Sequence, residues 1–436
     1  MDEALLGLFP VTAEVKDNHL SIGGCDCVAL AQEFGTPLYV FDEETLRKSC
    51  RDFQDEFSAR YPETQVVYAS KAFLVRPLVR LVMEEGLGLD VVSGGEIAIA
   101  RAAGLPLDRV YFHGNNKSPQ ELALAADGGV GRVVIDNFHE LGLLEGEAQR
   151  VKRRLDVMLR LCPGVDPHTH AHTATGAVDS KFGLALEQWE TVVRAIPSRM
   201  LRLVGLHFHL GSPIYEVEPY QEAIRLVLKF AAKMTKEAKS KFELLEFSPG
   251  GGYAISYVRE RPAPPFSYYA EGITRALLEG LEENGLPRPL LVPEPGRALV
   301  GRAGVALYTV GGRKDIPHVR TYVSVDGGMG DNIRPALYGA CYEALVANRA
   351  EEEPNEMVTL AGKFCESGDL LIKDIPLPRM SPGDIVAIPA MGAYSIPMAS
   401  NYNAAPRPAI VLVNKGKPTL WRRRESYEDL MAEDVG

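Results

Sequence analysis

The sequence predicts an α/β protein. A (β/α)8 TIM-type barrel is expected over residues 37–303, with a separate antiparallel β domain formed by residues 1–36 and 304–436. Three observations carry this. Eight short apolar runs between residues 66 and 293 alternate with segments of helical periodicity. The first five runs begin 20 to 23 residues apart, which suits one strand, loop and helix per unit. Beyond residue 303 the helical periodicity fades, and β-branched runs are separated by Gly, Pro and Asp turns.

The expected barrel strands are 66–69, 89–92, 109–112, 132–135, 155–161, 203–208, 243–247 and 289–293. Around them, Leu46, Cys50, Phe53 and Phe57 repeat on one helical face, as do Ile224, Val227, Leu228, Ala231 and Met234. Eight units in this length match a closed barrel in count and size, with an open doubly wound sheet as the alternative. The later strands are expected at 305–310, 320–325, 384–389 and 409–413, and the charge runs 351–353 and 422–424 read as solvated surface.

Composition narrows the function classes. A chain of 436 residues, 46% hydrophobic, can bury a large core in two or three domains. It has 47 basic against 58 acidic side chains, a formal charge of −11, which argues against a nucleic-acid or anionic-membrane partner. No apolar run approaches the roughly 18 residues of a membrane span, and the first residues lack the basic stretch of a secretory leader. Six cysteines without framework spacing fit a reducing, cytoplasmic setting, and Cys25 and Cys27 are too close for the usual metal or redox pair.

In a βα barrel, functional groups sit just after the strands. Lys71 closely follows the first strand; in the barrel mouth its amine would be partly desolvated and suited to Schiff-base chemistry. The run from His113 to Lys117 follows the third strand, and His207 to Ser212 the sixth. His207 and His209 are expected to face apart, which argues against one shared metal ion; one of them would instead lie flat against a planar ligand. Gly250, Gly251 and Gly252 follow the seventh strand, where a glycine turn lets backbone N–H groups converge on a phosphate. Glu294, Pro295, Gly296 and Arg297 follow the eighth. His168, His170 and His172 resemble a metal site but lack an accompanying ligand set, so a loop role is expected and no metal. A lysine, a flat histidine, a phosphate nest and an acid together fit a planar, phosphorylated, carbonyl-bearing cofactor, and pyridoxal 5'-phosphate is the plain candidate.

At this point the chain resembles the fold type III pyridoxal-phosphate decarboxylases. The resemblance rests on YASKA around Lys71, DVVSGGE at 90–96, HGNNKS at 113–118, SKFGL at 180–184, HFHLGS at 207–212, GGG at 250–252 and EPGR at 294–297. It continues through IRPALY at 333–338, CESGD at 365–369 and GAYSIPMASNYN at 392–403.

The resemblance implies that Lys71 holds the cofactor and His209 stacks on its ring. It implies that Ser212, Gly250 to Gly252, Pro295, Gly296, Arg297 and Tyr394 hold the phosphate side, and that Glu294 faces the pyridine nitrogen. Cys365 would return a proton to the α-carbon, and Glu366 would hold a distal amine. Both would come from the partner in a homodimer with shared sites. Arg297, Arg334 and Tyr338 would bind a distal carboxylate, with Tyr394 also at the substrate. The implied reaction is decarboxylation of meso-2,6-diaminopimelate to L-lysine. Alternatives are a same-fold decarboxylase of another basic amino acid, a racemase, and a non-enzymatic partner protein. Pro213, Lys363, Phe364 and Ile410 depart from the usual pattern.

Overall fold

The computed structural model describes residues 3–166, 180–188, 191, 200–237 and 242–436. The chain forms two compact units: residues 50–254 with 264–296, and residues 1–49 with 255–263 and 297–436.

The first unit is the barrel. Its strands are Val67–Ala69, Gly88–Val91, Val110–Phe112, Arg132–Ile135, Leu155–Cys162, Leu201–Phe208, Glu246–Gly250 and Leu290–Pro293. Each pairs in parallel with the next. The ring is completed irregularly between the last and first strands: Gln65 N–H donates to Leu291 O, and Ala69 N–H to Pro295 O, at 2.9 and 3.0 Å. Inside, Val67, Tyr111, Val134, Met158, Val204 and Val292 pack as one cluster. Burying such a side chain contributes roughly 1.5–3 kcal/mol, which makes the barrel a solid floor beneath its loops.

Local sequence signals set the helices between strands. Ser93, Ser118 and Asn137 cap the helices Gly94–Ala103, Pro119–Gly128 and Phe138–Arg150 by accepting from the N–H three residues on. The faces read from periodicity are buried in the helices Glu43–Ser58 and Glu218–Glu237. The seventh strand lies three residues later than expected. The apolar run at 243–247 is partly lead-in, and the strand continues through Ser248 and Pro249 to end on Gly250.

The second unit is a nine-stranded sheet. It runs in the order Leu370–Leu377, Glu356–Ala361, Arg320–Val325, Gly304–Ile316, Leu38–Asp42, Ala409–Asn414 and Lys417–Arg422, with Ile385–Ile388 and Leu345–Val346 attached. The sheet is mixed rather than wholly antiparallel. Arg320–Val325 pairs in parallel with Glu356–Ala361, and Leu38–Asp42 with Ala409–Asn414. Cys25, Cys27, Leu38, Val40, Val305, Leu307 and Val411 share its core. Arg424 is not simply solvated, since its Nη2 donates to Pro37 O at 2.8 Å. No helix among the described residues is long and apolar enough to cross a membrane.

Candidate active site

The C-terminal ends of the barrel strands carry a dense set of polar groups, and Glu294 is their hub. Its carboxylate accepts from Ser248 Oγ at 2.7 Å and lies 3.0 Å from His207 Nε2. His113 Nε2 stands 3.5 Å from Glu294 and 3.7 Å from Asp90 Oδ1. The His113 and His207 rings meet at 4.7 Å and 66°. All four of these charged or ionisable side chains are buried.

Burial and donors pull these groups apart in proton affinity. Burial alone would raise the Glu294 carboxyl, but the two imidazoles and the His207 and Ser248 hydrogen bonds carry it below the ordinary carboxylate range. Burial, reinforced by the Glu294 charge, pushes Asp90 well above that range. Burial drives His113 and His207 down, against the pull of Glu294. The floor of the mouth therefore sets a carboxyl of lowered proton affinity, Glu294, beside one of raised affinity, Asp90, and two imidazoles of lowered affinity.

His209 is neutral for a related reason: burial and then the Lys71 charge hold it well below the usual imidazole value. Its Nδ1 accepts from Gly251 N–H at 3.1 Å, which leaves the ring proton on Nε2. His207 and His209 do not face apart. Residues two apart on a strand share a side, and both rings turn toward the mouth, to different partners. The expected desolvation of Lys71 is likewise corrected: on its single 3-10 turn, Ser70–Ala72, the side chain is exposed. Ser70 ties that turn to Glu96 at 2.7 Å.

The glycine turn is forced by its surroundings. A Cβ on Gly250 would sit 2.5 Å from Phe208 O, and one on Gly251 only 2.2 Å from Glu294 O. Ser248 Oγ accepts from Gly250 N–H at 3.1 Å while donating to Glu294, so one hydroxyl joins the turn to the carboxylate. Gly252 O accepts from Ile214 N–H at 2.8 Å, which lays the turn beside the stretch carrying Ser212. Gly296 packs on Ala69 and Ala72, the neighbours of Lys71.

Several groups here were not singled out from sequence: Asp90, Ser248 and Arg160. Asp90 and Arg160 each interrupt an apolar strand, and that was the available signal. Arg160 Cζ stands 4.3 Å from the Phe182 ring centre, and Gly183 N–H donates to Asp136, so SKFGL packs on Arg160 and Asp136. Lys117 is structural, its Nζ donating to Gly114 O, Val134 O and Glu140 Oε1 at 2.7–2.8 Å. His168, His170 and His172 lie outside the described residues. His113, His207 and Glu294 bring ligand atoms within 4.8 Å of one another; His207 is hydrogen-bonded to Glu294, while His113 Nε2 is buried without a hydrogen-bond partner among the described residues.

The β unit carries the remaining residues. Arg297 and Arg334 are buried with Tyr257. Arg297 Nη1 donates to the Tyr257 hydroxyl and stands with its Cζ 4.8 Å from the Tyr394 ring centre. Burial would raise the Tyr257 hydroxyl, yet the charges of Arg297 and Arg334 bring it below the ordinary phenol value. Tyr394 has φ +60°, a left-handed conformation that non-glycine residues adopt at a cost of about 1–3 kcal/mol. Tyr338 is half-buried at the end of the short helix Arg334–Tyr338. Cys365 and Glu366 are exposed on a loop where Cys365 N–H donates to Asn403 Oδ1 at 3.0 Å. Phe364 is accommodated because its ring fills the space where Gly330 lacks a Cβ.

These groups suit a planar phosphorylated pyridine: an ionised carboxylate among donors, a neutral imidazole, a glycine turn with no room for side chains, and an exposed lysine. The family model for the pyridoxal-dependent decarboxylase pyridoxal-binding domain matches residues 43–301, well over half of the chain. The chain belongs to the pyridoxal-dependent decarboxylases and uses pyridoxal phosphate. The relatives are more particular. Diaminopimelate decarboxylase of Bacillus subtilis (strain 168) is 44% identical over 423 residues, 96% of each chain. That of Synechocystis sp. is 43% identical over 440 residues, 98% of this chain and 92% of the relative. The crystal structure of diaminopimelate decarboxylase from M. jannaschii in co-complex with L-lysine is 35% identical, with a TM-score of 0.90 over 98% of both chains.

Proposed function

We propose that the protein decarboxylates meso-2,6-diaminopimelate at its D-centre, releasing CO2 and L-lysine, as the last step of lysine synthesis. The observation that carries this reading is Arg334: buried, flanked by tyrosines, and without a carboxylate in ion-pair range among the described residues. A buried cation in that state calls for an anion from outside the chain, and a distal carboxylate supplies one. Relatives of 43–44% identity that bear the name of this activity support it.

Bound pyridoxal phosphate supplies a conjugated ring that accepts the electron pair left when CO2 departs. Lys71 would hold it, with Ser212, Gly250 to Gly252, Pro295, Gly296, Arg297 and Tyr394 on its phosphate side and His209 at its ring. Glu294, kept ionised, holds a proton at the ring nitrogen. Arg297, Arg334 and Tyr338 orient the distal carboxylate, and Glu366 and Tyr394 the rest of that end. Cys365 delivers a proton to the α-carbon where CO2 has left. Cys365 and Glu366, exposed in the single chain, would serve a second copy in a homodimer. None of the six cysteines forms a disulfide, which fits the cytoplasm.

The test is CO2 release from meso-diaminopimelate, ornithine, arginine and D-lysine by the holoenzyme. An unpaired buried charge costs roughly 3–5 kcal/mol, so kcat/KM should favour meso-diaminopimelate by at least about a hundredfold. Preference for a substrate without the distal carboxylate would keep the chemistry and overturn the roles of Arg334 and Glu366.

A further inference from the structure

Tyr257 stands in the sequence between the seventh and eighth barrel strands, yet residues 255–263 belong to the β unit. Arg259 pins this stretch: its Nε and Nη2 donate to Glu343 Oε1 and Oε2 at 3.1 and 3.2 Å. Glu343 adjoins Tyr342, so one forked ion pair fixes two tyrosines, whose rings meet edge to face at 5.5 Å and 87°.

Both arginines rest on this pair. Arg297 Nη1 donates to the Tyr257 hydroxyl, while Arg334 Cζ stands 4.6 Å from the Tyr257 ring centre. Arg334 Nη1 donates to the Tyr342 hydroxyl. A phenol can orient a guanidinium through its oxygen and its ring face without cancelling the charge as a carboxylate would. The two guanidiniums are thereby held in fixed orientation, and Arg334 has no carboxylate in ion-pair range among the described residues.

We propose that Tyr257, seconded by Tyr342, is a positioning residue that aims Arg297 and Arg334 at the distal carboxylate of the substrate and so sets selectivity against amino acids lacking one. This rests on the reading that the two arginines bind that carboxylate. Removing the Tyr257 oxygen lets both guanidiniums rotate away from a shared target, and binding of the carboxylate weakens while chemistry at the other end of the substrate continues.

The experiment compares holoenzyme variants by steady-state kinetics with two competitive inhibitors. L-Lysine keeps the distal carboxylate, and cadaverine has none. Tyr257→Phe should raise KM for meso-diaminopimelate and the inhibition constant of L-lysine together by about tenfold or more. Its kcat should fall by less than about threefold, with the cadaverine constant unchanged. Equal weakening of both inhibitors, or none for L-lysine, overturns the proposal. Tyr342→Phe should shift the same way and decides the matter if Tyr257→Phe does not fold. Arg334→Met separates the two layers of the argument. If it leaves L-lysine binding intact, the carboxylate reading itself fails. If it weakens L-lysine while both tyrosine variants do not, only the positioning inference fails.

Discussion

Glu294 Oε2 and His207 Nε2 stand 3.0 Å apart, with side chains only 5% and 1% exposed. With so little water near, the hydrogen bond weighs more than it would at the surface, and it fixes the His207 proton on Nε2. The other ring nitrogen, Nδ1, is buried without a hydrogen-bond partner among the described residues. The imidazole is thus committed to one acceptor.

His207→Phe should keep the aromatic volume and remove the donor. Glu294 then loses one of the interactions that hold its carboxyl down, and its proton affinity rises. We expect kcat to fall about tenfold, with the acid limb of the kcat–pH profile moving to higher pH. An unchanged profile in a folded variant would show that Ser248 and His113 suffice to hold Glu294.

The buried imidazoles also predict how stability follows pH. His113, His207 and His209 all have native proton affinities below the ordinary value. Each contributes stability that is complete above about pH 6.5, the unfolded value, and is lost as pH falls. The loss is about 1.4 kcal/mol per pH unit for each imidazole. Asp90 and Asp331 act in the opposite sense, since burial raises both, Asp331 to about 6. Their contribution is present at low pH and fades as pH rises through their native values. Urea unfolding should therefore show stability declining below about pH 6.5, where the three imidazoles outnumber the two opposing carboxyls. His113→Leu should make that decline shallower by one imidazole's share, and an unaltered slope would contradict it.

Lys71 and Cys365 should separate cofactor retention from turnover. Lys71→Ala is expected to lose the visible absorption of the bound cofactor along with CO2 release. Cys365→Ala is expected to keep the absorption and lose roughly 10²–10⁴-fold in kcat, the usual range for a positioned acid. Normal turnover in both variants would remove them from the reaction.

The barrel was legible in the sequence because its strands repeat at one spacing and its glycine turn follows a strand. Lys71, Glu294 and the glycines were readable because each breaks the apolar texture at a strand end. Ser248 was not, since a lone serine before a proline has many uses, and only the register of Glu246–Gly250 turns it toward Glu294. Asp90 lay in plain view, but its effect depends on Glu294, two hundred residues away along the chain. Tyr257 was hidden for a topological reason. Its stretch reads as a barrel loop, and no periodicity shows that it packs with Tyr342 and Glu343.

The pairing of Leu38–Asp42 has a consequence for how the chain is made. All five residues are buried, between Gly304–Ile316 and Ala409–Asn414. More than half the chain must leave the ribosome before the first of these neighbours exists. At about 5–20 residues per second, the strand waits on the order of tens of seconds with its edges and apolar faces uncovered. The residues between, which form the barrel, are complete only just before then, since the last barrel strand ends at Pro293 and the first neighbour begins at Gly304. During synthesis the early strand, with the apolar residues before it that share its core, therefore stays uncovered longer than the later strands it joins.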